Sequence, residues 1–196
     1  MAADAVTVFV VDDDLQLREG LSRLLRSYGW AVDAYGSAEA FLGQVPEHAV
    51  GCVLLDICMP GMNGTALHDR LNGSDCALSV IYLTGHSSVP LSVHAMKHGA
   101  YDFLEKPVAE HVLLAAIAGA TAQSVARSAV LARGREIRER LDALTPRERE
   151  VMSQVVAGHM NKQIADRLAI ALRTVKVHRS RVMSKMRVRS VAQLVA

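Results

Sequence analysis

The sequence predicts a doubly wound α/β domain, built on a five-stranded parallel sheet, followed by an all-α four-helix domain of helix-turn-helix type. Three observations carry this. Short apolar runs alternate with helical patterns through the first 125 residues. Beyond them come short helices with strong caps and no strand signal. Charge divides at the same place. Residues 1–125 hold 14 Asp+Glu against 6 Lys+Arg (net −8), and residues 126–196 hold 6 against 16 (net +10), which together give the formal +2. Opposite charge on two segments points to two domains with different partners.

In order, residues 6–11 (VTVFVV) form a continuous β-branched run, the pattern of a strand buried on both faces. Residues 15–28 place Leu17, Leu21, Leu24 and Leu25 at helical spacing, and Gly29 stops them. A weaker strand over 31–35 precedes Ser37, an N-cap for a helix over 38–44. Strands follow at 50–55, 78–83 and 101–105, with helices at 64–71, 89–98 and 108–121. The hydrophobic share of 51% is enough for a packed core and excludes a wholly disordered chain. No run of eighteen apolar residues free of charges or turn signals and no basic, apolar leader occurs, so neither a membrane span nor a secretory signal is expected. Cys52, Cys58 and Cys76 form no CxxC pair, which fits a reducing cytoplasm.

A doubly wound sheet binds ligands beyond the carboxyl ends of its strands. The residues there are Asp12, Asp13 and Asp14 after strand one, Asp56 after strand three, Thr84 after strand four and Lys106 after strand five. Three carboxylates within about 5 Å would repel by roughly 3 kcal/mol per pair at an effective dielectric near 20, so such a cluster needs a cation. Oxygen ligands at this density suit magnesium, or manganese, with room for phosphate oxygens. Lys106 adds a compact positive charge. Asp14 reads as the N-cap of the first helix.

The blocks VVDDD, LLDICMPGMNG, YLTGH and FLEKP resemble the signatures of two-component response-regulator receiver domains over about residues 5–122, and TGHSSVP resembles the FixJ-like branch. The resemblance implies a flavodoxin-like receiver of strand order 2-1-3-4-5 and a phosphoacceptor at Asp56 served by a histidine kinase. It also implies Asp13 as a direct magnesium ligand, Asp12 acting mainly through water, and Cys58 contributing its backbone carbonyl. Thr84 would follow the phosphoryl oxygen, Lys106 would stabilise it, and Phe103 would be the rotating aromatic, whereas Tyr101 reads as strand packing.

An aspartyl-phosphate hydrolase would carry a second Asp where Cys58 stands, so an enzyme is not expected. A redox role for Cys58 is weaker than that of a tolerated small residue. His94 and His98 have a spacing that zinc could use, but no third ligand stands nearby and a surface face is the stronger reading.

Residues 123–142 read as a basic helical linker with Val130, Ile137, Leu141 and Leu144 on one stripe and Glu136 poised to pair with Arg140. Gly134 weakens it by roughly 1 kcal/mol relative to alanine. In the last segment, Thr145, Pro146 and Glu148 make a capped helix start, and Gly158 ends that helix. Helices over 161–169 and 173–186 follow, the second burying Val175, Val182 and Met186, with His178 beside that stripe and read as packing. Short helix, turn, longer basic helix is the shape that enters a major groove. Residues 126–196 contain no Phe, Tyr or Trp, which disfavours stacking on single strands.

LTPREREVM, NKQIADRLAI and RTVKVHRSRVMSKM resemble the LuxR/NarL-type DNA-binding domain over about residues 143–196. By resemblance Lys176, Val177 and Ser180 face base edges, and Arg173, Thr174, Arg179, Arg181 and Lys185 contact phosphates. Met160 and Ala171 stand where the family has Ser or Thr at helix starts; Asn161 is a substitute cap for the first. Ser190 would cap a fourth helix that is short or truncated.

The expected organisation is a receiver domain over 1–122, a helical linker over 123–142 and a DNA-binding domain over 143–196. The expected function is a cytoplasmic, phosphorylation-controlled transcription factor that pairs on phosphorylation. Its partners would be a sensor kinase, double-stranded promoter DNA and RNA polymerase, with no membrane. The competing reading is a phosphorelay adaptor whose helical tail binds protein.

Overall fold

The computed structural model describes residues 6–85, 93 and 95–195. The chain divides into two compact units, Met1–Leu131 and Ala132–Ala196. The first contains β1 (Thr7–Val11), α1 (Leu15–Ser27), β2 (Ala31–Tyr35), α2 (Ala38–Gln44), β3 (Gly51–Asp56), α3 (Gly64–Asn72), β4 (Ser79–Thr84) and β5 (Asp102–Glu105). A 33-residue helix, α4 (Glu110–Asp142), then runs into the second unit.

The strands pair in the order β2-β1-β3-β4-β5, all parallel, as expected. Every residue of β3 and β4 is buried, which explains their unbroken apolar runs, while edge strand β2 buries only Val32. Two apolar layers form. Phe9, Val53, Leu55 and Tyr82 meet Phe41 of α2 and Leu67 of α3 on one face. Val8, Val10, Leu54 and Ile81 meet Leu21 and Leu25 of α1 and Leu113 and Ile117 of α4 on the other. The expected caps are present: Asp14 accepts from the Gln16 and Leu17 amides, and Ser37 from that of Ala40. Half of the helix expected over 89–98, His94 included, lies outside the described residues; residues 93 and 95–97 are helical.

The final helix expected over 108–121 and the helical linker expected over 123–142 run on as one helix, and residues 121–124 still pack against this unit. The Ser124 hydroxyl accepts from the Gly51 amide at 2.9 Å, and Ser79 donates to the Gln123 side-chain oxygen at 2.9 Å. Gly51 is required there: a Cβ would lie 1.8 Å from the Thr7 carbonyl oxygen. Helix α4 is long and apolar enough to cross a membrane by length and composition. In the first unit it buries Leu113, Ala116, Ile117 and Ala120 in the apolar layer shared with α1, as a core helix does.

The second unit contains α5 (Pro146–Val156), α6 (Asn161–Arg167), α7 (Leu172–Lys185) and α8 (Val191–Val195). Val151, Val155, Ile164, Ala165 and Val175 form its core, and Leu144, Val182 and Met186 a second cluster joined by Leu141. Glu136 pairs with Arg140 as expected, while Val130 and Ile137 are exposed. Thr145 and Glu148 close the capping box, and Ser190 accepts from the Gln193 amide at 3.3 Å. Asn161 does not cap α6. Met160 holds the cap position with no side-chain cap bond, and the Gln163 side-chain oxygen accepts the Met160 amide at 2.8 Å instead. Ala171 has no side-chain cap bond either.

Candidate functional site

Three residues from separate strand ends converge at the carboxyl edge of the sheet. The Lys106 ammonium, just past β5, donates to Asp12 Oδ2 at 2.7 Å and to Asp56 Oδ1 at 2.6 Å. Both carboxylates are buried, with 2% of Asp12 and 7% of Asp56 exposed. Parallel pairing sets the distances. Val11 registers with Leu55, placing Asp12 beside Asp56, and the Lys106 amide donates to the Thr84 carbonyl at 2.8 Å, tying the ends of β5 and β4 together. Burial pulls the Lys106 ammonium down, but its hydrogen bonds to Asp12 and Asp56 outweigh this and its pKa is raised.

Asp12 is held on every side. Its amide donates to Tyr35 O at 3.2 Å, its Oδ1 accepts the Asp14 amide at 2.9 Å, and its carbonyl accepts Arg18 Nη1 at 2.7 Å. Asp56 Oδ2 accepts the Cys58 amide at 2.7 Å. Thr84 is buried, and half-buried Phe103 registers with Tyr82, their ring centroids 6.3 Å apart. Tyr82 is itself anchored by a 3.0 Å hydrogen bond to the buried His68 ring. Tyr101 packs with the sheet face that meets α4, as expected.

One expectation is corrected. Three clustered carboxylates were expected, but Asp13 is exposed, and among the described residues no three His, Cys, Asp or Glu side chains are grouped to hold a metal. The Lys106 ammonium sits between Asp12 and Asp56 and relieves their repulsion. Two buried carboxylates on one ammonium still leave a negative surplus. That donor set fits magnesium, which takes one or two carboxylates and keeps water on its remaining positions.

Two contributors escaped the sequence. Arg18 lies one turn beyond its cap residue Asp14, a position that carries no signal of its contact with Asp12. Gly64 was read only as a helix start; a Cβ there would lie 2.3 Å from the Asp56 carbonyl oxygen, so glycine lets the loop after β3 close.

Residues 8–118 match the response regulator receiver domain family, and residues 142–196 match the bacterial regulatory proteins of the luxR family. The chain belongs to the two-component response regulators. It is 41% identical over 188 residues to the transcriptional regulatory protein FixJ of Bradyrhizobium diazoefficiens, covering 96% of this chain and 92% of that one. It is 44% identical over 189 residues to the tetrathionate response regulatory protein TtrR of Salmonella typhimurium, covering 96% and 90%. Among solved structures it resembles the response regulator StyR, with a TM-score of 0.82 at 42% identity over 97% and 96% of the two chains. These matches make it a response regulator with a receiver domain and a DNA-binding helix-turn-helix domain, acting in transcription regulation.

In the helix-turn-helix of this regulator, α7 exposes Arg173, Lys176, Val177, Ser180 and Arg181, while Thr174 is half-buried. Two residues expected on phosphates have partners inside the domain. Arg179 donates to Asn161 Oδ1 at 2.7 Å, and Lys185 donates to the Ala143 carbonyl at 2.9 Å and to Glu148 at 2.6 Å. Glu148 is 2% exposed, and the Lys185 ammonium with the Thr145 amide holds its carboxyl down to about 2. His178 is half-buried and its Nδ1 has no hydrogen-bond partner among the described residues.

Proposed function

We propose that this response regulator accepts a phosphoryl group on Asp56 and that the modification favours pairing and binding to promoter DNA. The observation that carries the reading is the bridge of Lys106 between Asp12 and Asp56, two buried carboxylates on one ammonium at the carboxyl edge of the sheet. Phosphoryl transfer asks little else of a protein than an in-line nucleophile and cationic clamping of the equatorial oxygens.

Asp56 supplies the attacking oxygen: the new O–P bond forms as the donor's bond to phosphorus breaks and its electron pair leaves with the donor. The donor is a phosphohistidine of a sensor kinase or a small acyl phosphate. Asp12, Asp56 and the Cys58 carbonyl, joined by Asp13 if it turns in from its exposed position, would hold magnesium, or manganese, whose charge would offset that of the phosphoryl oxygens. Lys106 turns from Asp56 to the phosphoryl group, and the Thr84 hydroxyl follows one of its oxygens. Phe103 then moves toward the space Thr84 leaves, altering the surface around β5. A shift from 1:99 to 99:1 needs about 5.5 kcal/mol, which a few charge-assisted hydrogen bonds at roughly 1.5–3 kcal/mol each can supply.

Paired receivers would set two DNA-binding domains on half-sites about one helical turn apart. Lys176, Val177 and Ser180 read base edges, and Arg173, Thr174 and Arg181 hold phosphates. The setting is the cytoplasm, residues 1–122 are the receiver and 143–196 the DNA-binding domain, and RNA polymerase is the further partner of a bound activator. The test is fluorescence anisotropy of the full chain on a duplex selected from a random library, with and without an acyl phosphate donor and magnesium. The reading expects at least tenfold tighter binding with the donor; equal affinity contradicts it, and a chain that binds no duplex favours the adaptor.

A further inference from the structure

We propose that Arg179 is a positioning residue of the DNA-binding domain: through Asn161 it fixes α7 against α6, and it does not itself contact a phosphate. Both helices begin without a side-chain cap, at Met160 and Ala171. Locally, the first turn of α6 is held by the Met160 amide on the Gln163 side-chain oxygen, and no side chain caps that of α7. Their shared core is small, consisting of Ile164 and Ala165 from α6 against Val175 from α7. Beside it stands the bond from Arg179 Nη1 to Asn161 Oδ1, the one side-chain hydrogen bond between these two helices among the described residues.

Asn161 is the first residue of α6, and Arg179 lies in the middle of α7, so the bond reaches from one helix start to the centre of the other. Both residues are half-buried, which strengthens a charge-assisted hydrogen bond over one in open water. Asn161 stands at the first helical position rather than at the cap, and its side-chain oxygen accepts from Arg179. Neighbouring Lys176 and Arg181 are exposed with no side-chain partner among the described residues, so they remain free for DNA. The angle of α7 decides whether Lys176, Val177 and Ser180 reach base edges together.

The test measures anisotropy of the full chain on the selected duplex across a salt series, for wild type, Arg179→Ala, Asn161→Ala, the double variant and Arg181→Ala. A phosphate contact contributes about 0.9 to the slope of log affinity against log salt. Arg179→Ala and Asn161→Ala are expected to weaken binding by a similar factor of about ten, with the double variant no weaker than either and the slopes unchanged. Arg181→Ala is expected to flatten the slope by about one. Additive losses, or a flattened slope for Arg179→Ala with no loss for Asn161→Ala, would overturn the assignment. Should Arg179→Ala unfold by circular dichroism, Asn161→Ala decides alone, since a phosphate-bound Arg179 would not feel its loss. Domain-level DNA binding is tested separately by the wild-type curve.

Discussion

Each unit buries carboxylate beside a lysine, and the two arrangements differ in one respect that separates function from architecture. In the second unit one carboxylate, Glu148, meets one ammonium, Lys185, and also completes a capping box with Thr145. Its charge is balanced, and its Oε2 accepts both the Thr145 amide and the Lys185 ammonium. In the first unit two carboxylates, Asp12 and Asp56, share the ammonium of Lys106. A charge is left over, and it faces the loops after β1 and β3. The balanced site holds helices together; the unbalanced one is prepared for a cation and an incoming phosphoryl group.

The sharpest way to break this contrast is to remove each lysine. Lys106→Ala leaves two buried carboxylates without their counter-charge and is expected to cost about 3–5 kcal/mol. Thermal melting should recover part of that loss when millimolar magnesium is added. Lys185→Ala leaves a single carboxylate, Glu148, still holding the Thr145 amide and with no second carboxylate beside it to share a cation, so magnesium should leave its melting temperature unchanged.

Next in size is Gly64→Ala. The added methyl meets the Asp56 carbonyl at 2.3 Å, so the backbone at the acceptor must shift. Labelling by a small acyl phosphate should slow at least tenfold, a factor that corresponds to about 1.4 kcal/mol of barrier.

Acid tests the balanced site. Glu148 titrates at about 2 in the fold, below its usual range. The stability it confers is present above the unfolded carboxylate value of about 4.3 and is lost as pH falls toward 2. Far-ultraviolet melting between pH 5 and 2 should show this loss, and Lys185→Ala should move its onset to higher pH. The smallest effect is Thr145→Ala, expected at about 1 kcal/mol, because the cap loses one hydrogen bond to the Glu148 amide.

The first unit was the more legible of the two. Its strands are buried on both faces, so continuous apolar runs marked them, and each chemical residue stood at a strand end where parallel pairing brings it to one edge. What escaped there were two contacts decided by space, Arg18 on the Asp12 carbonyl and the close approach at Gly64, and the exposure of Asp13. The continuation of α4 through residues 121–124 also escaped, since it depends on Ser124 and Gln123 meeting the sheet rather than on local pattern. In the second unit, caps and periodicity placed the helices within a residue or two. They did not tell a free cation from a paired one. Arg179 and Lys185 look like Arg173 and Arg181 in sequence, and only the fold shows Asn161 and Glu148 within their reach.

The central claim is that the surplus charge at Asp12 and Asp56 serves an acceptor oxygen on Asp56. Intact mass of the full chain after incubation with a small acyl phosphate and magnesium tests this most directly. A single added phosphoryl group on the wild type, absent from Asp56→Asn and absent when magnesium is chelated, is the predicted result. Undiminished labelling of Asp56→Asn would contradict it.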